Sequence, residues 1–190
     1  MIKIIQKQVK FQIEDFDAIS KKLIELEAVF IGGFFEKTIR YDTDDHRLFD
    51  RGIFIRTKSG LRNVLTLKEK TSENDNTLLE RYTTEIEIDD IEKMEYMLSR
   101  IGFTNKVIME KYRLYFKWNH IEISIDELPF GIYLEIKGDD KEIKKLSKQL
   151  GFKNKDMITV TYWDIYDKIK HEDSNHIQFD KSHIFKIATY

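Results

Sequence analysis

Charged and amide side chains recur with a period of two in seven separate stretches of this chain. The sets are Gln6, Gln8 and Lys10; Arg56 and Lys58; Lys68 and Lys70; Arg81, Glu85 and Glu87; Lys111 and Arg113; Glu122 and Asp126; and Glu135 and Lys137. A guanidinium fork meets two phosphate oxygens at once, and a lysine ammonium adds a compact point charge. Cations of both kinds brought to one place would hold a multiply charged phosphate compound. The acids extend the same chemistry. Glu85, Glu87, Asp126 and Glu135 offer hard oxygen ligands of the type that hold Mg²⁺ or Mn²⁺ against phosphates. Carboxylates beside a phosphate would repel it, and a divalent ion between them resolves that conflict.

A period of two is the signature of a strand with unlike faces. Strands are expected at about Ile4–Phe11, Thr38–Asp42, Gly52–Lys58, Val64–Lys70, Arg81–Ile88, Lys111–Trp118, His120–Asp126 and Gly131–Lys137. The face opposite the charges collects Ile53 and Ile55, Leu65 and Leu67, Leu114 and Phe116, Ile121, Ile123 and Ile125, and Leu134 and Ile136. Three amphipathic helices are predicted near Asp15–Val29, Asp90–Ile101 and Lys141–Leu150, and a short fourth after Thr161. The second and third end alike at Gly102-Phe103 and Gly151-Phe152, where glycine suits a left-handed cap and the phenylalanine folds back. The fold class expected is α+β, an eight-stranded antiparallel β-barrel with the helices packed outside. Closure removes exposed strand edges.

A charged outer face is ordinary in an antiparallel sheet, so any one of these strands would read as solvent surface. Repetition across the set argues otherwise. If helices cover the apolar face of a barrel, its charges turn inward, where each is costly unless paired or met by a ligand. The inward set carries a surplus of cations, which a polyanion would satisfy.

The 190 residues suit one domain, with residues 1–170 as the barrel unit and 171–190 as an extension of unknown role. A net charge of −2 gives no general attraction to a nucleic-acid duplex or an acidic membrane, and neither is expected as a partner. Absence of cysteine excludes disulfides, thiolate metal sites and cysteine nucleophiles. The first residues do not form a secretory signal and no apolar stretch is long enough to span a bilayer, so a cytoplasmic location is expected. His46, His120, His171, His176 and His183 form no recognisable metal pair. Asp42, Asp44, Asp45 and Asp50 could hold a cation but read better as a turn.

In order and spacing, these pieces resemble the CYTH domains, also called triphosphate tunnel metalloenzymes, which include class IV adenylyl cyclases and thiamine and inorganic triphosphatases. The family's opening E-x-E-x-K is Gln6-Lys7-Gln8-Val9-Lys10 here, its G-x-x-x-R-x-R strand is Gly52 to Lys58, and its L-T-x-K strand is Leu65 to Lys68. Arg81 with Glu85 and Glu87, Lys111-Tyr112-Arg113, Ile125-Asp126, Gly131 to Lys137 and Thr161-Tyr162 follow in the family's order. The resemblance implies a tunnel in which Arg56, Lys58, Lys68, Arg81, Lys111 and Arg113 hold a triphosphate compound. It further implies Lys10 near the attacking group, and Glu85, Glu87, Asp126 and Glu135 on Mg²⁺ or Mn²⁺. Hydrolysis or cyclisation of the triphosphate would follow, and a homodimer is expected by analogy. The departures are Gln6 and Gln8 in place of glutamates and Lys137 in place of the last glutamate. They favour, as the alternative, a protein that binds nucleotides or polyphosphate without acting on them. A partner-binding scaffold with a solvated charged face is the third reading.

Overall fold

The computed structural model describes residues 4–71, 77–169 and 176–189. The alternating stretches form β1 (Ile4–Ile13), β2 (Val29–Asp42), β3 (Ile53–Ser59), β4 (Val64–Lys70), β5 (Leu79–Glu87), β6 (Asn105–Trp118), β7 (Ile121–Leu128) and β8 (Gly131–Lys137). They close into a barrel in the order β1-β5-β4-β3-β2-β6-β7-β8. Every neighbouring pair is antiparallel.

The apolar parity faces outward and helices bury it over β1, β6, β7 and β8, whereas Ile86 of β5 is 53% exposed. Val9, Phe11, Leu114, Phe116, Ile123, Ile125, Leu134 and Ile136 pack with Ile19 and Leu23 of α1 (Phe16–Glu25) and with Ile143, Leu146 and Leu150 of α4 (Asp140–Leu150). A short α2 (Arg47–Asp50) lies in the β2–β3 connection, and Leu98 of α3 (Ile91–Arg100) packs on Ile39 and Tyr41 of β2. Each such aliphatic side chain removed from water contributes roughly 1.5–3 kcal/mol, which is what holds the helices to the barrel. The helix stops behave as their sequences require. Gly102 and Gly151 take φ of 99° and 95°. Phe103 and Phe152 then donate backbone N–H groups to Leu98 and Ser147, and Phe152 stacks on Phe11 at 4.1 Å.

Two strands run much further than alternation alone indicates. β2 begins at Val29 and β6 at Asn105, and the two pair from Val29 opposite Lys117 to Asp42 opposite Asn105. The added part of β2 contains Phe30, Ile31, Gly32, Gly33, Phe34 and Phe35, which carry no period, and its register shifts between Phe30 and Gly32.

At the end of the barrel marked by the β7–β8 turn, two stretches of strand edge have no strand neighbour. Lys10 of β1 is bridged there by Ile158, with N–O distances of 3.0 and 2.8 Å. The chain continues into α5 (Tyr162–Ile169), whose start is fixed by reciprocal Thr161 and Asp164 side-chain bonds. On β6, residues 108–110 are bridged by Ile177. Residues 176–189 continue over the outside, where buried Glu127 accepts from Ile187 N and lies 2.8 Å from His183 Nε2. The edges are thus covered by non-repeating segments. Among the described residues no helix is long and apolar enough to cross a membrane.

Candidate functional site

The inward parity of the strands encloses a cavity of about 580 Å³. Eleven cationic side chains line it, namely Lys10, Arg40, Arg56, Lys58, Lys68, Lys70, Arg81, Lys111, Arg113, Lys137 and Lys168. Only four acidic ones do so, Glu36, Glu135, Asp164 and Asp167. The two mouths differ. At the α5 end the lining includes Arg40, Phe49, Phe54 and Trp163, with the Arg40 guanidinium 4.9 Å from the Trp163 ring centre. At the opposite end, Arg62 pairs with Glu85 and Glu87 at 3.6 and 2.6 Å.

Of the lining acids, Glu36 and Glu135 belong to a buried network centred on Arg113, which also takes in Asp126. The Arg113 Nε and Nη2 meet the two oxygens of Asp126, each at 2.6 Å, and Nη2 also reaches Glu135 at 3.1 Å. Lys111 lies 3.0 Å from Glu36 and 3.3 Å from Asp126, and Tyr162 donates its hydroxyl to Asp126 at 2.9 Å. The side chain of Asp126 is 0% exposed. Burial alone would raise the pKa of Glu36, but Lys111, Arg113 and Lys58 hold it well below the usual carboxylate range. Burial of the Tyr162 hydroxyl, reinforced by Asp126 and Glu135, pushes its pKa well up. These groups are hydrogen-bonded to one another and internally spent.

A second set of cations is not spent. Among the described residues neither Arg56 nor Lys58 has an ion-pair partner, and the buried Nε of Arg56 has no hydrogen-bond partner at all. Lys68 donates to the neutral Gln6 Oε1 at 2.8 Å. Burial, only partly offset by Glu36, lowers Lys58 to about 8, with Arg56 and Lys137 adding to the shift. Lys10 falls to about 8, mainly through burial, while Glu135 opposes the change and Lys137 and Lys111 favour it. Burial drives Lys68 well below its ordinary value, with Arg56 and Lys137 acting in the same direction. A cavity that depresses several lysines together is one that stabilises an incoming polyanion.

Of the residues singled out from the sequence, Lys10, Arg56, Lys58, Lys68, Arg81, Lys111, Arg113 and Glu135 meet in this cavity. Glu85, Glu87 and Asp126 do not line it. Glu85 sits at the far mouth on Thr66 and Arg62, Glu87 is exposed there on Arg62, and Asp126 is sealed beneath Arg113. His171 lies outside the described residues. Asp42 accepts from the backbone N–H groups of Thr43, Leu48 and Phe49, so it organises the α2 turn. Sequence reading missed Glu36 and Arg40. Extending the parity of Thr38 in both directions along β2 would have found them. Trp163 had no comparable signal, because it enters on a helix laid across the barrel end.

The donor set does not fit a divalent ion. Among the described residues no group of three or more His, Asp and Glu is placed to hold a metal. Glu135, a lining acid, has Arg113 and Lys137 on one oxygen at 3.1 and 3.2 Å. Its other oxygen has Gln8 Nε2 at 3.0 Å and Lys10 at 3.6 Å.

Comparison with known proteins gives a consistent picture. A family model described as the CYTH domain matches residues 5–162. A protein of Methanocaldococcus jannaschii named "Putative adenylate cyclase MJ0240" is 28% identical over 149 residues, covering 77% of this chain and 83% of that one. The solved structure of a Vibrio parahaemolyticus protein named as a putative adenylate cyclase superposes with a TM-score of 0.75 at 16% identity, covering 87% of this chain and 99% of that one. HpAC1 from Hippeastrum, described as having a dominant triphosphatase activity, gives a TM-score of 0.59 at 16% identity, over 86% of this chain and 95% of that one. At these identities the structural likeness is one of fold.

Proposed function

The chain belongs to the CYTH domain family, and from that premise we propose that its tunnel binds a triphosphate compound, whether a nucleotide, thiamine triphosphate or inorganic triphosphate. The observation that carries this reading is the set Arg56, Lys58 and Lys68, which lines the cavity without a carboxylate partner at ion-pair distance among the described residues. Buried cations left in this state are costly to the fold. Phosphate oxygens would supply the missing acceptors, bidentately at the guanidinium. Arg113 and Lys111, held by Asp126, Glu36 and Glu135, form the fixed wall against which the anion rests.

A processing role is the second reading, and Lys10 favours it. The Lys10 side chain donates to Val160 O at 2.9 Å and has its pKa lowered to about 8 by burial, so its free-amine fraction near neutral pH can take a proton from an attacking water or hydroxyl. The cyclase and triphosphatase names of the relatives agree with such a role. Thermal unfolding with tripolyphosphate, ATP and thiamine triphosphate tests the binding proposal, because a ligand of the folded state raises Tm. At least one should shift it; a flat response to all three would remove the reading. Release of phosphate, pyrophosphate or cyclic nucleotide from the same panel, abolished in Lys10→Gln, decides the second.

The lysines also set a pH dependence. With Lys10 and Lys58 titrating near 8, anion affinity is expected to fall by about tenfold or more from pH 7 to 9 as they lose their charge. Stability of the free protein runs the other way. These folded-state values lie below the unfolded value of about 10.4, so across that window the unfolded chain binds more protons. Their contribution to stability therefore grows as pH rises from about 8 to about 10.4. Parallel Tm and affinity series across pH would show the two trends crossing.

A further inference from the structure

The register of the barrel places Lys137 of β8 directly opposite Gln8 of β1 and Glu122 of β7. Its side chain is 16% exposed, and its ammonium lies 3.2 Å from Glu135 Oε1. With Arg113 on that oxygen and Gln8 and Lys10 on the other, both carboxylate oxygens are already met by N–H groups. Gln6 offers its carbonyl oxygen nearby, but Lys68 holds it at 2.8 Å. A hard cation entering here would have to displace N–H donors from both Glu135 oxygens and from the Gln6 carbonyl, and would then sit among the charges of Arg113, Lys137, Lys10 and Lys68.

We infer that Lys137 fills, as a fixed ammonium, the role of a divalent ion beside Glu135, so that the tunnel takes up the metal-free polyphosphate anion in preference to its magnesium complex. The inference rests on the binding reading above and names the ionic form of its ligand. Two features of the site support it. The charge that would repel phosphate from Glu135 is already neutralised from within the chain. The uncompensated cations Arg56 and Lys58 also need free phosphate oxygens, and a coordinated Mg²⁺ would occupy some of these.

Calorimetric titration of the full chain with tripolyphosphate, once with EDTA and once with excess Mg²⁺, tests this. Wild-type protein should bind in EDTA, and its apparent affinity should fall about tenfold or more in Mg²⁺, because the ion withdraws free anion and carries like charge to the lining. Lys137→Met should bind about tenfold more weakly in EDTA, since the Glu135 charge it neutralises would then repel the anion. That variant keeps an unbranched stem without the ammonium, and its Tm reports whether it folds. The wild-type arms decide the matter even if it does not. Tighter binding in Mg²⁺ than in EDTA would overturn this inference while leaving the tunnel as a triphosphate site. A folded Lys137→Met variant with unchanged affinity would also overturn it. No heat in either wild-type arm would remove the anion-binding reading and this inference with it.

Discussion

Asp126→Ala is expected to destabilise the protein by about 3–5 kcal/mol, because it strips the partner from a buried cation rather than removing a surface contact. Arg113 is 7% exposed in its side chain and has both of its short bonds, at 2.6 Å, on this one carboxylate. Lys111 and the Tyr162 hydroxyl converge on the same group, so three donors lose an acceptor at once. Asp126→Asn keeps the shape and one acceptor and should cost less. Coupling is the sharper test. In the background of Arg113→Met, the Asp126→Ala change should cost far less than it does alone, since the stranded guanidinium is gone. Urea denaturation of the four proteins gives the cycle. A single-variant loss below about 1 kcal/mol would mean the network is solvated and the burial described here is wrong.

Arg56→Ala should have the opposite balance. Its guanidinium lines the cavity, has no ion-pair partner among the described residues, and leaves Nε without a hydrogen bond. Removing it should lower tripolyphosphate affinity by roughly 10–100-fold, the weight of one or two hydrogen bonds to a charged group. The free protein should lose no stability and can gain some, because a buried cation held without a partner costs the folded state. Affinity from calorimetry and Tm without ligand are to be measured on the same preparation. Weaker binding together with an equally large loss of Tm would point to a structural role for Arg56. Unchanged binding would take it out of the site.

The barrel was legible because a strand with one buried face cannot hide its period. Every alternating stretch became a strand, and the apolar parity is the outward one, which helices bury over β1, β6, β7 and β8 but not at Ile86 of β5. The parity of Lys10, Arg56, Lys58, Lys68 and Arg113 was likewise enough to bring them together. Parity gives the face of a sheet, not the height along the barrel axis. That is why Glu85 and Glu87, correctly on the inward parity, sit at the far mouth on Arg62, away from the cavity. It also cannot reveal which of two facing side chains lies in front. Asp126 points inward, yet Arg113 and Tyr162 cover it. Glu36 was lost for another reason. The residues before it are apolar on both faces and include Gly32 and Gly33, so the period that identifies a strand fails just where β2 begins. The segments around Ile158 and Ile177 seal strand edges through single bridges, which leave no repeating mark in a sequence.

The central claim is that a polyphosphate sits inside the barrel, and amine labelling read by mass spectrometry tests it directly. Lys58 and Lys68 line the cavity, whereas Lys93 on α3 has a side chain 83% exposed and serves as the internal reference. With tripolyphosphate present, labelling of Lys58 and Lys68 should drop sharply while Lys93 is modified at its original rate. Equal labelling of all three with and without the anion, at concentrations that saturate any heat of binding, would place the ligand elsewhere and contradict the account.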